Sequence, residues 1–413
     1  MPRKVCIVSS GNLASNPRVL KEANALHDAG YAVTAVVCDY TASLRGFDDD
    51  IAANVPWTVV RVPRPPGERY LQATSQLGAR ALSGAGLDVP ASLAANAYGG
   101  PAQALRRAVR DVPADLYIAH YVPALPAAAF AARRHGGMLG FDAEDFHSGE
   151  GAGGARDDFR MAMVRAVERA CLPRCAYMTT ASPMIGEAYK MLYGVSSTTV
   201  LNVFPLEMLT DTEPCTRHAG DGLLRAYWFS QTIGLDRGLQ AFLNAMAKTR
   251  CQVSLDIRGS NRWGHGDALM ALARELGIVE RVRLLPMAAP GEMANLAASY
   301  DLGLSLETEA SESRRLCLTN KIFTYLVAGV PVMMSDTPAQ SAFATELGDA
   351  AALVSLADPP AIARVLDRLG SPGILDKAKA TASQLGRERY NWQIEKHALL
   401  SAVERAFSRQ GGG

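Results

Sequence analysis

The stretch Leu318–Asp336, LTNKIFTYLVAGVPVMMSD, carries the clearest structural pattern of the chain. Phe323, Leu326, Val327 and Val330 are spaced i, i+3, i+4 and i+7, which is typical of a helix that packs an apolar side onto a sheet. A glycine and a proline follow and stop the helix before a second apolar run. The stretch therefore predicts a helix that leads into a buried strand.

The first turns of this predicted helix carry polar side chains, Asn320, Lys321 and Thr324, beside Tyr325. The helix follows a predicted strand at Leu302–Leu306, and open α/β sheets bind ligands at the carboxyl ends of their strands, where helix N-termini attract anions. Two interpretations stay open at this point: a solvated first turn, or a site for a nucleotide.

The composition is that of a globular protein. The chain has 413 residues, which predicts two or three domains, with 48% hydrophobic and 20% charged residues and a formal net charge of +1. The absence of a basic excess argues against nucleic-acid binding, and no apolar run reaches the roughly 18–20 residues of a membrane span.

The apolar N-terminal run predicts a first strand, not a signal peptide. Seven scattered cysteines indicate reduced thiols, so we expect a cytoplasmic protein. Cys171 and Cys175 lack a second Cys/His pair that would favour zinc.

Strands and helices alternate along the whole chain. Lys4–Ser10, a helix that starts near Asn16 and Tyr31–Cys38 form a βαβ unit, which requires a parallel sheet. The alternation lapses over Leu206–Gly222 and then resumes. We therefore predict an α/β protein with two doubly wound, Rossmann-like domains, at residues 1–208 and 209–386, and a last helix with a flexible tail at 387–413.

The first strand–helix loop, SSGNLASNPR, contains neither a G-x-G-x-x-G fingerprint nor a Walker lysine. It nevertheless places Gly11, Asn16 and Arg18 close to a helix N-terminus. These residues could bind an anion or a hydroxyl group, or they could only cap the helix and meet solvent.

A second polar cluster, DAEDFH, follows the predicted strand Met138–Asp142. Asp142, Glu144, Asp145 and His147 would lie at the carboxyl end of that strand, where they could take part in acid–base chemistry, bind a metal or cap the next helix.

The connection 64–114 between two predicted strands is long and rich in Gly, Pro and Ala. A connection of this length usually contains helices of its own. Its arginines lie beside leucines and could touch an anionic membrane surface, although a solvated helical insertion is favoured.

Five motifs in this order resemble retaining glycosyltransferases of family 4, which have the GT-B fold. They are SNPRVLKEANALHDAGYAVT (15–34), ADLYIAHYVPALPAAAFAARRHGGMLGFDAED (114–145), TTASPMIGEAYKMLYGVSSTTVLNV (179–203), WFSQTIGLDRGLQAF (228–242) and TNKIFTYLVAGVPVMMSD (319–336). The resemblance implies that the two domains face each other across a cleft and that the last helix crosses back to the N-terminal domain. It implies further that the C-terminal domain binds a nucleotide-sugar donor and the N-terminal domain an acceptor.

The resemblance also assigns individual residues. Asn320 and Lys321 match an Asn-Lys pair near the donor phosphates, and Thr324 stands where relatives have a ribose-binding glutamate. Gln231 and Arg237 occupy the positions of an Arg and a Lys that clamp the pyrophosphate. The other family glutamate corresponds to Glu307, Glu309 or Glu312. The positive charge lost at Gln231 could come from Arg258, Arg314 or Arg315. Glu144 replaces a histidine of the family's D-A-H-E.

The implied activity is transfer of a sugar from a UDP- or GDP-sugar to an acceptor hydroxyl with retention of anomeric configuration, in surface polysaccharide, glycolipid or related glycan synthesis. No cofactor and no metal are expected, since basic groups stabilise the leaving diphosphate. Peripheral contact with the inner face of the membrane is an option. The alternatives are a nucleotide-sugar epimerase and a catalytically weak binding protein of the same fold. The implied catalytic residues are Lys321, Arg237, Glu307 and Asp142. The implied donor-binding residues are Gly11, Asn16, Arg18, Gln231, Arg258, Gly259, Glu309, Asn320, Thr324 and Tyr325. The implied acceptor-side residues are Glu144, Asp145 and His147.

Overall fold

The computed structural model describes residues 1–209, 222–371 and 373–411. It divides into two compact units. Unit 1 comprises Met1–Val200, Ser311–Ser313 and Lys396–Gly413, and unit 2 comprises Leu201–Ala310 and Arg314–Glu395. Most of the predicted boundary segment, residues 210–221, lies outside the described residues, so the boundary at 208 stays a prediction.

The sheet of unit 1 has seven parallel strands in the order β3-β2-β1-β4-β5-β6-β7. The strands are β1 (Lys4–Ser9), β2 (Ala32–Asp39), β3 (Thr58–Pro63), β4 (Leu116–His120), β5 (Met138–Ala143), β6 (Cys175–Thr180) and β7 (Thr198–Thr199). The order reverses between β1 and β4, which is the topological switch point where doubly wound sheets bind ligands. β7 is the shortest of these strands, with two residues.

Helices connect these strands. They are α1 (Pro17–Asp28), α2 (Arg45–Asn54), α3 (Glu68–Gly84), α4 (Ala91–Tyr98), α5 (Ala102–Ala108), α6 (Leu125–His135), α7 (Ala155–Cys171) and α8 (Pro183–Tyr193). The connection between β3 and β4 contains three of them, α3, α4 and α5, as its length predicts. α1 begins near Asn16 as predicted, because Asn16 Oδ1 accepts the N–H of Val19 at 3.1 Å. α8 begins in the same way, since Ser182 Oγ accepts the N–H of Ile185 at 3.3 Å.

Unit 2 repeats this architecture with six parallel strands in the order β10-β9-β8-β11-β12-β13. The strands are β8 (Leu223–Thr232), β9 (Gln252–Ser260), β10 (Val282–Leu285), β11 (Leu302–Ser305), β12 (Val332–Ser335) and β13 (Ala351–Val354). The helices are α9 (Leu239–Met246), α10 (His265–Glu275), α11 (Met293–Ala297), α12 (Glu312–Leu316), α13 (Asn320–Val327), α14 (Pro338–Leu347), α15 (Pro359–Leu369), α16 (Ile374–Glu388) and α17 (Trp392–Gly411). The switch point of this sheet lies between β8 and β11.

The predicted helix–strand pair 318–336 is α13 followed by β12. Gly329, with a φ of +72°, ends the helix, and the N–H of Val330 returns to the carbonyl of Tyr325 at 2.8 Å. α13 is buried on nearly all sides, not only on its apolar stripe. A Cβ at Gly303 of β11 would lie 2.3 Å from the Tyr325 ring, and one at Gly386 of α16 would lie 2.2 Å from the carbonyl oxygen of Leu326. Two glycines therefore let α13 fit tightly between β11 and α16.

The last helix, α17, begins in unit 2 and continues in unit 1. In unit 1 the Phe407 ring stacks on Tyr31 with 5.8 Å between centroids, and the Arg3 guanidinium lies 4.3 Å from the Phe407 centroid. The two ends of the chain therefore meet in one hydrophobic contact. Within the described ranges, no helix combines the length and the apolarity needed to span a bilayer.

Candidate functional site

Three cations converge on one carboxylate at the switch point of unit 2. Lys321 Nζ donates to Glu307 Oε1 at 2.9 Å, and Arg237 and Arg314 donate to Oε2 at 3.1 and 2.9 Å. The Glu307 side chain is 1% exposed, whereas exposure rises to 8% for Lys321, 19% for Arg237 and 33% for Arg314. Asp236, a more exposed carboxylate, also lies 3.5 Å from Arg237 Nε. With three positive groups against two carboxylates, this Glu307 cluster has a net charge of +1 and suits an anion.

The backbone holds Glu307 firmly. Its N–H donates to Ser335 Oγ at 2.9 Å, and Ser335 Oγ donates to the Glu307 carbonyl at 2.7 Å, so the ends of β11 and β12 are tied together. Ser305 and Thr319 hydroxyls lie 2.9 Å apart and tie the start of α13 to β11. These bonds position the Glu307 carboxylate beside the first turn of α13.

Gly238 lets the segment that carries Arg237 come close to the end of β11. Gly238 follows Arg237 and has a φ of +67°, and a Cβ there would lie 2.8 Å from Leu306 Cβ. A larger residue would therefore push the segment after β8 away from β11. This close approach places Arg237 within hydrogen-bond distance of Glu307.

The cluster keeps Glu307 ionised. Burial alone would raise the pKa of this carboxyl, but attraction to Lys321, Arg314 and Arg237 outweighs it and lowers the pKa from 4.5 to about 2. Lys321 Nζ also lies 5.9 Å from the ring centroid of the buried Trp228, an additional cation–π attraction.

The other residues predicted for the donor in unit 2 have varied surroundings. Gln231 is exposed, and Asn320 is half-buried at the start of α13. Arg258 donates to the Tyr227 hydroxyl and to the carbonyl of Pro286, both at 2.8 Å. Gly259 is buried at the carboxyl end of β9.

Two predicted donor residues of α13 lie in the core. Thr324 is 1% exposed and donates to the carbonyl of Asn320 at 3.1 Å. Tyr325 is fully buried and donates to the carbonyl of Tyr227 at 2.8 Å. Among the three candidate glutamates, Glu307 is the one in the cluster; Glu309 is exposed and lies 3.5 Å from Arg315, and Glu312 is exposed.

In unit 1 two predicted site residues contact each other: Arg18, expected to bind the donor, and Asp142, expected to be catalytic. Arg18 Nε and Nη2 donate to the two Asp142 oxygens at 2.5 and 2.7 Å, and Nη1 donates to the carbonyl of Val200 at 2.7 Å. His120 Nδ1 lies 3.2 Å from Asp142, and His120 Nε2 lies 2.5 Å from Glu22. All four side chains of this Arg18 network are buried.

The Arg18 network joins α1, β4 and β5 inside unit 1. Burial alone would raise the pKa of Asp142, but Arg18 and His120 lower it to about 2. A Thr179 hydroxyl also donates to Asp142 at 2.6 Å, so both carboxylate oxygens have partners in the core. The geometry suits a structural function, while the catalytic function expected of Asp142 and the donor contact expected of Arg18 stay predictions. Asn16 serves as the cap of α1.

A cavity of about 1090 Å³ lies at the carboxyl edge of the unit 1 sheet. Its walls come from the segments after β1 to β5, from the start of α3 and from the loop after α4. Gly11, Asp145 and His147 line it, and Glu144 lies 3.5 Å from the hydroxyl of Tyr121, another lining residue. The fold therefore brings three of the predicted residues to one cavity at the switch point between β1 and β4, with Glu144 next to the lining residue Tyr121.

His147 has an unused hydrogen-bond donor at this cavity. Its side chain is buried, and Nδ1 lies 2.6 Å from Glu150 Oε1. Burial alone would lower the pKa of His147, but Glu150, Glu168 and Asp145 raise it to about 9, so the ring is protonated at neutral pH. Within the described part of the chain, Nε2 has no hydrogen-bond partner. Its N–H is available to a ligand oxygen.

Tyr121 has an unusual backbone. Its φ of 68° and ψ of 154° belong to a region that is open almost only to glycine, and it is the one non-glycine residue with positive φ in the described ranges. Its ring lies 6.2 Å from that of His147. Backbone strain of this kind costs on the order of 1–3 kcal/mol and concentrates at binding sites.

The sequence alone does not identify several residues of the two candidate sites. Ser335, which holds Glu307, is the small polar residue that ends the run MMS, and only the tertiary pairing of β11 with β12 gives it a function. Arg314 was one of three candidate arginines. Tyr40, Tyr98 and Tyr121 line the unit 1 cavity from three separate segments, a pattern that no local motif reveals. Among the described residues, no three His, Cys, Asp or Glu side chains are grouped so as to hold a metal ion.

Comparisons with known proteins agree with this architecture. Residues 14–203 match the family model described as a glycosyl transferase 4-like domain. Comparison with curated proteins gives no sequence match.

Solved structures show the same fold over the whole chain. Anabaena HepE in complex with UDP and glucose has a TM-score of 0.69 at 14% identity, with 97% of this chain and 99% of that chain covered. Sucrose-phosphate synthase from Thermosynechococcus elongatus has a TM-score of 0.70 at 13% identity, with 98% and 100% covered. A putative UDP-N-acetylglucosamine 2-epimerase from Listeria monocytogenes has a TM-score of 0.61 at 13% identity, with 99% and 98% covered.

At these identities the structural likeness establishes the fold, and the family model covers residues 14–203. The predictions of a GT-B fold with two Rossmann-like domains and of a resemblance to family 4 are confirmed. The chain therefore has the GT-B fold, and its residues 14–203 match the model of a glycosyl transferase 4-like domain.

Proposed function

We propose that the chain transfers a sugar from a nucleotide-sugar donor to an acceptor hydroxyl with retention of anomeric configuration. The observation that carries this proposal is the Glu307 cluster. It has an excess of one positive charge when Asp236 is counted, lies at a topological switch point and has its more exposed cations, Arg237 and Arg314, toward solvent. A diphosphate is the anion that such a set of donors fits best.

In the proposed reaction the acceptor oxygen bonds to the anomeric carbon while the bond from that carbon to the diphosphate oxygen breaks. The departing diphosphate takes up the hydroxyl proton on the same face of the sugar. Lys321, Arg237 and Arg314 stabilise the charge that grows on the diphosphate. Glu307 is assigned a positioning function, because its carboxylate accepts hydrogen bonds from all three cations.

The donor is proposed to be a UDP- or GDP-sugar. The structures of HepE contain UDP or UDP-glucose, and this supports the UDP option for a chain of the same fold. Ribose recognition by Thr324 is not supported, because this hydroxyl is buried and bonded to its own helix.

The acceptor is proposed to bind in the unit 1 cavity, beside Glu144, Asp145 and His147. The cavity has three tyrosines, and its charged lining residues balance. They are Arg64, Arg69 and protonated His147 against Glu68, Asp145 and Glu150. Such a lining suits a neutral, polyhydroxylated acceptor, as expected for synthesis of a surface polysaccharide, glycolipid or related glycan.

Peripheral contact with the inner membrane face also belongs to this proposal, for a protein expected in the cytoplasm. Its support is the outer side of α3, where the Tyr70 and Leu77 side chains are 77% and 70% exposed near Arg69 and Arg80. Aromatic and aliphatic side chains next to cations suit a bilayer interface.

The test begins with a thermal-shift panel of UDP-, GDP- and dTDP-sugars, in which one donor should raise the melting temperature. Turnover is then measured with that donor and a set of glycan acceptors. We expect Lys321→Ala to lower kcat by about 10²–10³-fold, because it removes a cation that acts on the leaving group. Lys377→Ala, which changes an exposed lysine far along the sequence, should turn over normally.

Normal rates in Lys321→Ala would refute the assignment of the cluster. Incubation with donor alone tests the alternative of epimerisation, which needs no acceptor and would yield an isomeric nucleotide sugar. Donor binding without transfer to any acceptor would instead support a binding protein.

A further inference from the structure

Unit 1 contains a second cavity, of about 390 Å³, on its outer helical layer. Its walls come from α4, α5, α6 and the end of α7, and it shares no lining residue with the cavity at the carboxyl edge of the sheet. We refer to it as the arginine groove. The volume falls within the range of small-molecule sites, so the groove can hold a compact ligand.

Three arginines surround this groove: Arg106 of α5, Arg133 of α6, and Arg174 just after α7. All three are exposed, and no Asp or Glu is among the described lining residues. Within 1–209, 222–371 and 373–411, none of the three has a carboxylate inside ion-pairing distance, in contrast to Arg134 and Arg18. Three like charges around one concavity repel each other, and an anion in the groove would relieve that repulsion.

One of these guanidinium groups is already oriented. Arg106 lies over the ring of Phe130, with 4.3 Å from its central carbon to the ring centroid. Phe130, Ala127 and Ala170 also give the groove an apolar floor. A guanidinium held on an aromatic face keeps its N–H edge free for a bidentate bond to a phosphate or carboxylate, and the floor suits an apolar substituent.

From this geometry we propose that the arginine groove binds a phosphate group that carries an apolar substituent. This site is separate from the proposed donor and acceptor sites and does not depend on the function proposed for them. The phosphate can belong to a soluble phosphomonoester or to the headgroup of an anionic lipid. Both share the chemistry that the three guanidinium groups recognise, and the experiment below separates them.

The first arm of the test uses phenyl phosphate and the full chain, with binding measured by calorimetry at pH 7.5. Phenyl phosphate should bind, and inorganic phosphate should bind less tightly because it leaves the apolar floor unused. Arg106→Gln, Arg133→Gln and Arg174→Gln should each weaken binding by about tenfold or more, since each removes a charge-assisted bond. Arg107→Gln serves as the matched control, because Arg107 is an exposed neighbour on α5 that does not line the groove.

Binding at the Glu307 cluster must be separated from binding at the groove. Phenyl phosphate should therefore still bind to Lys321→Ala, and in that background Arg133→Gln should weaken binding by the same factor as in the original chain. Because these arginines are exposed, the glutamine variants should retain the circular dichroism and melting temperature of the original chain.

The second arm uses sedimentation with vesicles of phosphatidylcholine, with and without phosphatidylglycerol. If the natural ligand is a lipid headgroup, the chain should sediment with the anionic vesicles, and the three groove variants should sediment less than Arg107→Gln. Loss of phenyl phosphate binding without any change in sedimentation would assign the groove to a soluble phosphate. If the groove variants match Arg107→Gln in both arms, the proposal is wrong.

Discussion

Replacement of Glu307 by Gln removes one charge from the centre of the Glu307 cluster while it keeps the shape of the side chain. Lys321, which is 8% exposed, and Arg237 and Arg314 would then have no carboxylate between them. The pKa of Glu307 falls from 4.5 to about 2, and a shift of this size corresponds to roughly 3 kcal/mol of folding free energy at pH 7. Loss of one partner from a buried ion pair costs about 3–5 kcal/mol, in agreement with this value. We therefore expect Glu307→Gln to lose about 3 kcal/mol.

The sign of the pH dependence follows from the lowered pKa. The contribution of Glu307 is complete above the unfolded pKa near 4.5 and disappears as the pH falls toward the folded pKa of about 2. The difference in unfolding free energy between the original chain and Glu307→Gln should therefore be constant from pH 7 to pH 5.5. By pH 3 it should have shrunk to less than half, about 1–1.5 kcal/mol.

The assay is urea unfolding followed by tryptophan fluorescence, since Trp228 is buried in β8 beside Lys321. Glu309→Gln is the matched control: Glu309 is exposed and pairs with Arg315 at 3.5 Å, so its loss should cost less than about 1 kcal/mol. Equal losses in the two variants, or a loss in Glu307→Gln that does not shrink in acid, would refute the reasoning.

The remaining predictions concern packing and the acceptor side. Gly386→Ala should lower the unfolding free energy by about 1–3 kcal/mol in urea titrations, because its Cβ would lie 2.2 Å from the carbonyl oxygen of Leu326. The control Gly46→Ala, in open space on α2, should instead raise the unfolding free energy by about 0.5–1 kcal/mol. Equal urea midpoints for the two variants would contradict this account of α13. His147→Gln should raise the KM for the acceptor about tenfold in initial-rate measurements and leave the KM for the donor unchanged. In the original chain acceptor affinity should fall as the pH rises through about 9, where His147 loses its proton, and the variant should lack this loss; a variant with the original pH profile would exclude His147 from acceptor binding.

Local signals predict the architecture well where the causes are local. Asn16 and Ser182 cap helices because their side-chain oxygens accept a backbone N–H three residues on, and the proline after each suits the first position of a helix. Gly329 ends α13 because its φ is positive. The strands of both sheets are apolar runs between such signals. These features need only a few neighbouring residues, so the sequence determines them before any tertiary contact exists.

The site depends on contacts that the sequence does not rank. Arg18 lies in the first turn of α1 and Asp142 near the end of β5, yet their pairing across 124 positions decides that both point into the core. Tyr325 was grouped with the polar side of its helix, and the missing side chain at Gly303 is what draws its ring inward. Three glutamates in one loop were equivalent by spacing, and only the bond from Ser335 singles out Glu307. Long-range pairings of this kind leave no periodic pattern in the sequence from which they could be predicted.

The contact between Phe407, Tyr31 and Arg3 has a consequence for how the protein is made. A ribosome releases Tyr31 roughly 370 residues before Phe407, and at about 5–20 residues per second the delay amounts to tens of seconds. During that time Tyr31 and Arg3 of unit 1 lack their contact with Phe407, while all of unit 2 is synthesised. A chain that stops before α17 would keep this apolar surface exposed, so premature termination should produce a species that chaperones retain and that aggregates on release.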